Sequence, residues 1–189
     1  MPTDRRLPLS LKLGFTIWTV LWFLLYWRAY GLLNFLWFCN LANLLVVVAL
    51  WRENALVLSA QAQSVFLVQL GWAVDFFGRL ATGQHWIGGT EYMFDATKPL
   101  FLRSFSLYHL AMPAIFLFAI SRLGYDRRAF RAQTLFAWGV LFVSYFATSI
   151  SENVNWVHGP FGKIQTWMPP LAWLGVCLVL YPALLYWPS

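Results

Sequence analysis

Cys39 and Asn40 sit side by side in an otherwise apolar run, and Asn43 follows one turn later. A thiol and two amides are costly in hydrocarbon unless they are partnered. Polar residues placed in such a run face the interior of a helix bundle and mark functional sites there. Cys39 has the chemistry of a nucleophile, and His109 that of the base which would draw off its proton. The amides of Asn40, Asn43 and Asn155 have the donors that an acyl oxyanion, or the positioning of a substrate, requires. Asp75 is the carboxylate expected to orient the imidazole. Helical spacing places Cys39 and Asn43 on one face, with Ser106 one turn from His109 on another.

Metal chemistry is the second option in the same residues. His85, His158, Asp95 and Glu91, with His109 and Asp75, supply nitrogen and oxygen ligands suited to zinc. They show no compact spacing such as HxxxH. No cofactor is expected for the thiol reading.

The elements that must position these groups follow from composition. The chain has 189 residues, of which 60% are hydrophobic and 11% charged, with a mean hydropathy of +0.62. A soluble domain carries about a quarter charged residues. The apolar runs approach the roughly 20 residues that cross a bilayer. The expectation is a single all-α polytopic domain over residues 1–189, a transmembrane bundle of about six spans. These fall near 9–28, 32–51, 55–77, 101–121, 131–150 and 166–187. The first is read as an uncleaved helix, because no small-x-small site follows it. Pro113 interrupts the fourth, which a bundle tolerates where neighbours satisfy the freed carbonyl.

Orientation follows from the basic residues. Arg5, Arg6, Lys12, Arg52, Arg122, Arg127, Arg128 and Arg131 fall on one side, and Arg28, Arg79, Lys98, Arg103 and Lys163 on the other. The excess predicts both termini in the cytoplasm. On this reading Cys39 lies about 10 Å and His109 about 12 Å below the outer surface, at 1.5 Å per residue. The net charge of +6 calls for anionic lipid, not nucleic acid.

On the outer side the 3–4 segment, Gly78–Leu100, and the 5–6 segment, Ser151–Thr166, are long and rich in polar and aromatic residues, as functional loops are. Lys98 and Arg103 border that side and are candidates to hold a phosphate head group. Cys177 stands in a plain apolar run and reads as a packing residue. No internal repeat or paired broken helix of the transporter kind is found.

The stretch Leu36-Trp37-Phe38-Cys39-Asn40 and the later Ser106-Leu107-Tyr108-His109 resemble motifs of a family of bacterial integral membrane proteins. Asn155-Trp156 and Gln165-Thr166-Trp167-Met168-Pro169-Pro170 extend the likeness over roughly residues 31–187. That family is similar to the eukaryotic ether-phospholipid acyltransferase and, more remotely, to the androgen-induced membrane hydrolases of branched fatty-acid esters. The resemblance implies that Cys39 accepts the acyl group, that His109 is its partner, and that the chain resides in a bacterial inner (cytoplasmic) membrane. Trp37 stands where the relatives often carry His, and the ester hydrolases use Thr where Cys39 stands. The expected function is a lipid-directed acyltransferase or hydrolase using a Cys-His pair. The alternatives are a lipid or small-molecule binding bundle, a structural subunit with partner membrane chains, and a metal-dependent hydrolase.

Overall fold

Pro8 introduces α1 (Leu9–Tyr30), the first element of the computed structural model, which describes residues 6–189. Proline suits this place because a first-turn N–H has no helical acceptor. Arg5, counted above among the basic residues, lies outside the described residues. Gly31, at φ 77°, ends α1. A short 3-10 turn, Leu32–Leu36, leads to an extended Trp37. Only then does α2 (Phe38–Arg52) begin. The expected continuous helix over 32–51 is thus broken, and Cys39 lies in the first turn of α2 rather than mid-helix.

Glu53 and Asn54 make the tight turn into α3 (Ala55–Thr82), where the Asn54 side chain accepts the Val57 N–H at 3.1 Å. This is an ordinary N-cap. Gly83, at φ 75°, closes α3. The segment beyond contains the short α4 (Glu91–Phe94). Pro99 then starts α5 (Leu100–Ser104), which runs through a 3-10 turn into α6 (Tyr108–Leu123). α7 spans Ala129–Ala147. Pro169 and Pro170 start α8 (Pro170–Leu180), which continues as a π-helix over Tyr181–Tyr186.

Every regular element among the described residues is helical. Three stretches are long and apolar enough to cross a membrane: Leu9–Tyr30, Ala55–Thr82 and Leu100–Leu123. Phe38–Arg52 and Pro170–Tyr186 are shorter apolar helices. α3 is the central rod, packed on α2, α6 and α7, with α1 against α2 and α8 against α7. Trp22, Leu50, Leu58, Val65, Met112, Phe116 and Leu141 fill the interior and are fully buried.

Polar ties define the two ends of the bundle. At one, Glu53 accepts from Lys12 Nζ at 2.6 Å and from the Leu7 N–H at 3.1 Å. There too the Asp126 N–H donates to Ser59 Oγ at 3.1 Å. Arg52, Arg122, Arg127, Arg128 and Arg131 cluster at this basic end. The other end carries the 32–37 turn and the long segments 83–99 and 148–169. Glu53 is held below the usual carboxylate range, chiefly by the hydrogen bond from Lys12.

Candidate functional site

The site is assembled where α2 begins, at the loop end. A helix start leaves its first N–H groups without helical acceptors. Here Asn155, from the 148–169 segment, supplies one: its Oδ1 accepts the Phe38 N–H at 3.0 Å. Its Nδ2 donates to Leu36 O at 2.8 Å and to Ser144 Oγ at 3.1 Å. Asn155 adopts φ 50°, ψ 28°, a left-handed conformation that asparagine tolerates better than most residues. Both ends of its amide are therefore occupied in holding the Leu36–Phe38 break. Of the two roles expected of it, oxyanion donor or positioning donor, these bonds favour positioning.

Asn40 is similarly engaged. Its Nδ2 donates to Asn34 O at 2.8 Å, and its Oδ1 accepts from Tyr108 OH at 2.9 Å. Asn43 differs: it is fully buried, and neither amide atom has a partner. Cys39 is a free, half-buried thiol. The hydroxyls of Tyr92, Tyr108 and Tyr181 lie within electrostatic range of it.

His109 stands in the first turn of α6, buried. Its Nδ1–H donates to Ser106 O at 2.7 Å, which leaves Nε2 as the nitrogen with the free lone pair. The ring is stacked between Trp72, at 4.8 Å, and Tyr108, at 4.1 Å. Pro113 brings no N–H to the carbonyl of His109 four residues earlier. Around this core, Trp72 Nε1 donates to Tyr92 OH at 3.1 Å, and Tyr26 OH shares a hydrogen bond with Ser106 Oγ at 2.7 Å. The structure thus gathers Cys39, Asn40 and His109 around a group of tyrosines. No hydrogen bond joins Cys39 to His109 among the described residues.

Asp75 serves a different histidine from the one expected. Fully buried on α3, it accepts from His85 Nδ1 at 2.8 Å, not from His109. It also accepts the Ile87 and Gly88 N–H groups at 2.8 and 2.9 Å, and the Thr90 hydroxyl. The carboxylate therefore fastens the 83–99 segment onto α3. Trp86 lies over Gly78, where an added Cβ would come within 2.6 Å of the ring.

The remaining candidates are scattered. Lys98 pairs with Asp95 at 2.7 Å, and with Thr97 it holds that carboxyl well below its ordinary range. Arg103 donates to Met93 O. Glu91 accepts the Gly89 N–H at 2.8 Å, and His158 leans on Tyr145 at 5.0 Å. Among the described residues no three His, Cys, Asp or Glu side chains gather as a metal site would require. Of the expected ligands Asp75 and His85 meet, at 2.8 Å, but no third such side chain joins them, and His158 belongs to another segment.

Sequence reasoning passed over Tyr26, Trp72, Tyr92 and Tyr181. It also passed over a second polar group deep in the basic half. Gln61 Nε2 donates to Gln133 Oε1 at 3.2 Å, and Gln63 Nε2 to Tyr125 OH at 2.7 Å. Ser64 lies with them, beside the Tyr186 hydroxyl. The signal was present in four amides and hydroxyls, Gln61, Gln63, Ser64 and Gln69, on one apolar helix.

No family model, curated protein or solved structure matches the chain. The site stands on its own geometry.

Proposed function

We propose that the chain is a membrane-embedded enzyme of lipid acyl transfer or hydrolysis, with Cys39 as nucleophile and His109 as base. Six helical passes, with both termini at the basic end, would set that end in the cytoplasm of a bacterial inner membrane and open the site to the outer half. The clustered arginines support this orientation. Reporter fusions after residue 189 and within 83–99 test it, and equal signals from the two would overturn it.

The observation that carries the catalytic reading is the state of His109. With Nδ1–H fixed on Ser106 O, the imidazole presents Nε2 as acceptor inside a buried aromatic frame. Cys39 lies at the same end of the bundle, on the first turn of α2, with no side-chain hydrogen-bond partner among the described residues. Such pairs often close only when substrate is bound. The thiol proton passes to Nε2, and Sγ attacks the ester carbonyl of a lipid. The buried Asn43 amide is the donor left free to stabilise the oxyanion. The acyl–oxygen bond breaks, and the departing alkoxide takes the proton from His109. Water or an acceptor hydroxyl then removes the acyl group from Sγ.

The lack of a hydrogen bond between Cys39 and His109 among the described residues favours a second reading, a bundle that binds lipid without turning it over. A lipid-like thiol-reactive acyl probe distinguishes the two in purified wild type, Cys39→Ala, Cys177→Ala and His109→Gln. The enzyme reading expects labelling at Cys39 that falls at least tenfold in His109→Gln and is untouched in Cys177→Ala. Equal, slow labelling of both cysteines, indifferent to His109, would overturn it.

A further inference from the structure

Away from this site, α7 and the last helix enclose an open groove of about 490 Å³. Its shape follows from one residue. Pro182 has no N–H for the carbonyl of Leu178, and the helix widens into the π turn Tyr181–Tyr186. Trp138 Nε1 reaches across from α7 and donates to Leu178 O at 2.9 Å. Phe130, Thr134 and Trp138 line one wall, and Leu178, Ala183 and Trp187 line the other. Phe130 and Trp187 meet edge to face at 6.0 Å at the basic end. The walls are apolar except for Thr134, whose buried hydroxyl has no partner.

The charge at the mouth names the occupant. Phe130, Arg131, Thr134 and Trp138 fall within about 100° of one another around α7 at 3.6 residues per turn. Arg127 lies in the turn that precedes α7, toward the basic end. Asp126 occupies Arg128 at 2.8 Å. Arg127 and Arg131 are exposed and form no ion pair among the described residues. From Phe130 to Trp138 the groove runs about 12 Å at 1.5 Å per residue, long enough for part of one acyl chain. Basic residues at the head-group level above an apolar channel favour an anionic lipid.

We infer that the α7–α8 groove binds a phospholipid with an anionic head group. Its phosphate sits against Arg127 and Arg131, and one acyl chain lies between Phe130, Trp138 and Ala183. Thr134 donates to an ester oxygen. The site is distinct from Cys39 and His109 and does not depend on their chemistry.

Native mass spectrometry of the full chain, exchanged into phosphatidylglycerol or phosphatidylcholine of identical chains, tests the assignment. Wild type is expected to retain phosphatidylglycerol preferentially. Arg127→Gln with Arg131→Gln should reduce that preference by about 25-fold, roughly fivefold for each arginine. Ala183→Trp should displace both lipids, and Arg52→Gln, a cation at the same end but on another helix, should change nothing. A photoactivatable acyl chain on phosphatidylglycerol should crosslink wild type within 130–138 or 178–187, a readout that requires no variant to fold. Equal retention of the two lipids, an Arg52→Gln effect as large as that of the double variant, or crosslinks confined to other helices would overturn the proposal. So would glycerol phosphate, which has no chains, binding as tightly as the lipid.

Discussion

Asp75 Oδ2 lies 2.8 Å from His85 Nδ1, and this contact joins the central helix to the segment that covers the loop end. Asp75 also takes two backbone N–H groups and the Thr90 hydroxyl. Removing a buried acceptor with several donors strands those donors, each at a cost of about 1–3 kcal/mol. Asp75→Ala should therefore cost about 3 kcal/mol or more and free residues 83–99. Asp75→Asn should be milder, because its remaining oxygen still accepts. Thermal unfolding in detergent, with limited proteolysis of the 83–99 segment, checks both. Resistance of Asp75→Ala to cleavage there would contradict the fastening role.

How far this was legible in the sequence depends on the range of the interaction. Apolar runs, prolines at helix starts and arginines at one end act locally, and they place the helices to within a few residues. The break before Phe38 does not show, because Leu32–Cys39 carries no glycine or proline; its cause is Asn155, more than a hundred residues away. Asp75 was read as the carboxylate that orients an imidazole, but the imidazole was misjudged. Depth alone suggested His109, whereas the chain folds back so that His85, ten residues on, arrives first. Cys39, Asn40 and His109 do come to the same end of the bundle, since alternate helices run in opposite directions. Their hydrogen bonds depend on side-chain direction, which spacing does not reveal.

Asn155 provides a test of both side chain and backbone. Its amide holds Phe38 N–H, Leu36 O and Ser144 Oγ, and its backbone is left-handed. Asn155→Gly keeps the conformation and loses the amide, leaving the groups it paired unsatisfied, an effect of about 1–3 kcal/mol. Asn155→Ala loses the amide and also strains the backbone, by a further 1–2 kcal/mol or so. The alanine variant should therefore melt below the glycine variant. Equal melting temperatures would show that the left-handed conformation is not maintained.

His158 predicts a pH dependence. It lies in the 148–169 segment with its Nε2 buried and unpartnered, and burial lowers its proton affinity below the ordinary imidazole value. Between the folded and unfolded values the unfolded chain binds more protons, so stability rises with pH. The neutral fold is intact above about pH 6.5, the unfolded value. It weakens as pH falls below that point, with a slope of at most about 1.4 kcal/mol per pH unit for one proton. His158→Phe keeps a ring against Tyr145 and cannot titrate. Melting curves from pH 7.5 to 5 should be flatter for this variant, and parallel curves would remove His158 as the cause.

Trp138 and Pro182 should be energetically coupled although they lie on different helices. The indole bonds Leu178 O because Pro182 offers that carbonyl no N–H. Trp138→Phe in the wild-type background leaves the carbonyl without a donor, a loss of about 1 kcal/mol. In a Pro182→Ala background the helix supplies its own N–H, and the same change should cost little. A double-mutant cycle on unfolding should then give a coupling of about 1 kcal/mol, well above the few tenths expected of independent sites. Additive effects would mean that the π turn persists without proline. The groove between α7 and α8 would then owe its shape to packing by Tyr181 and Tyr186 and not to the missing donor.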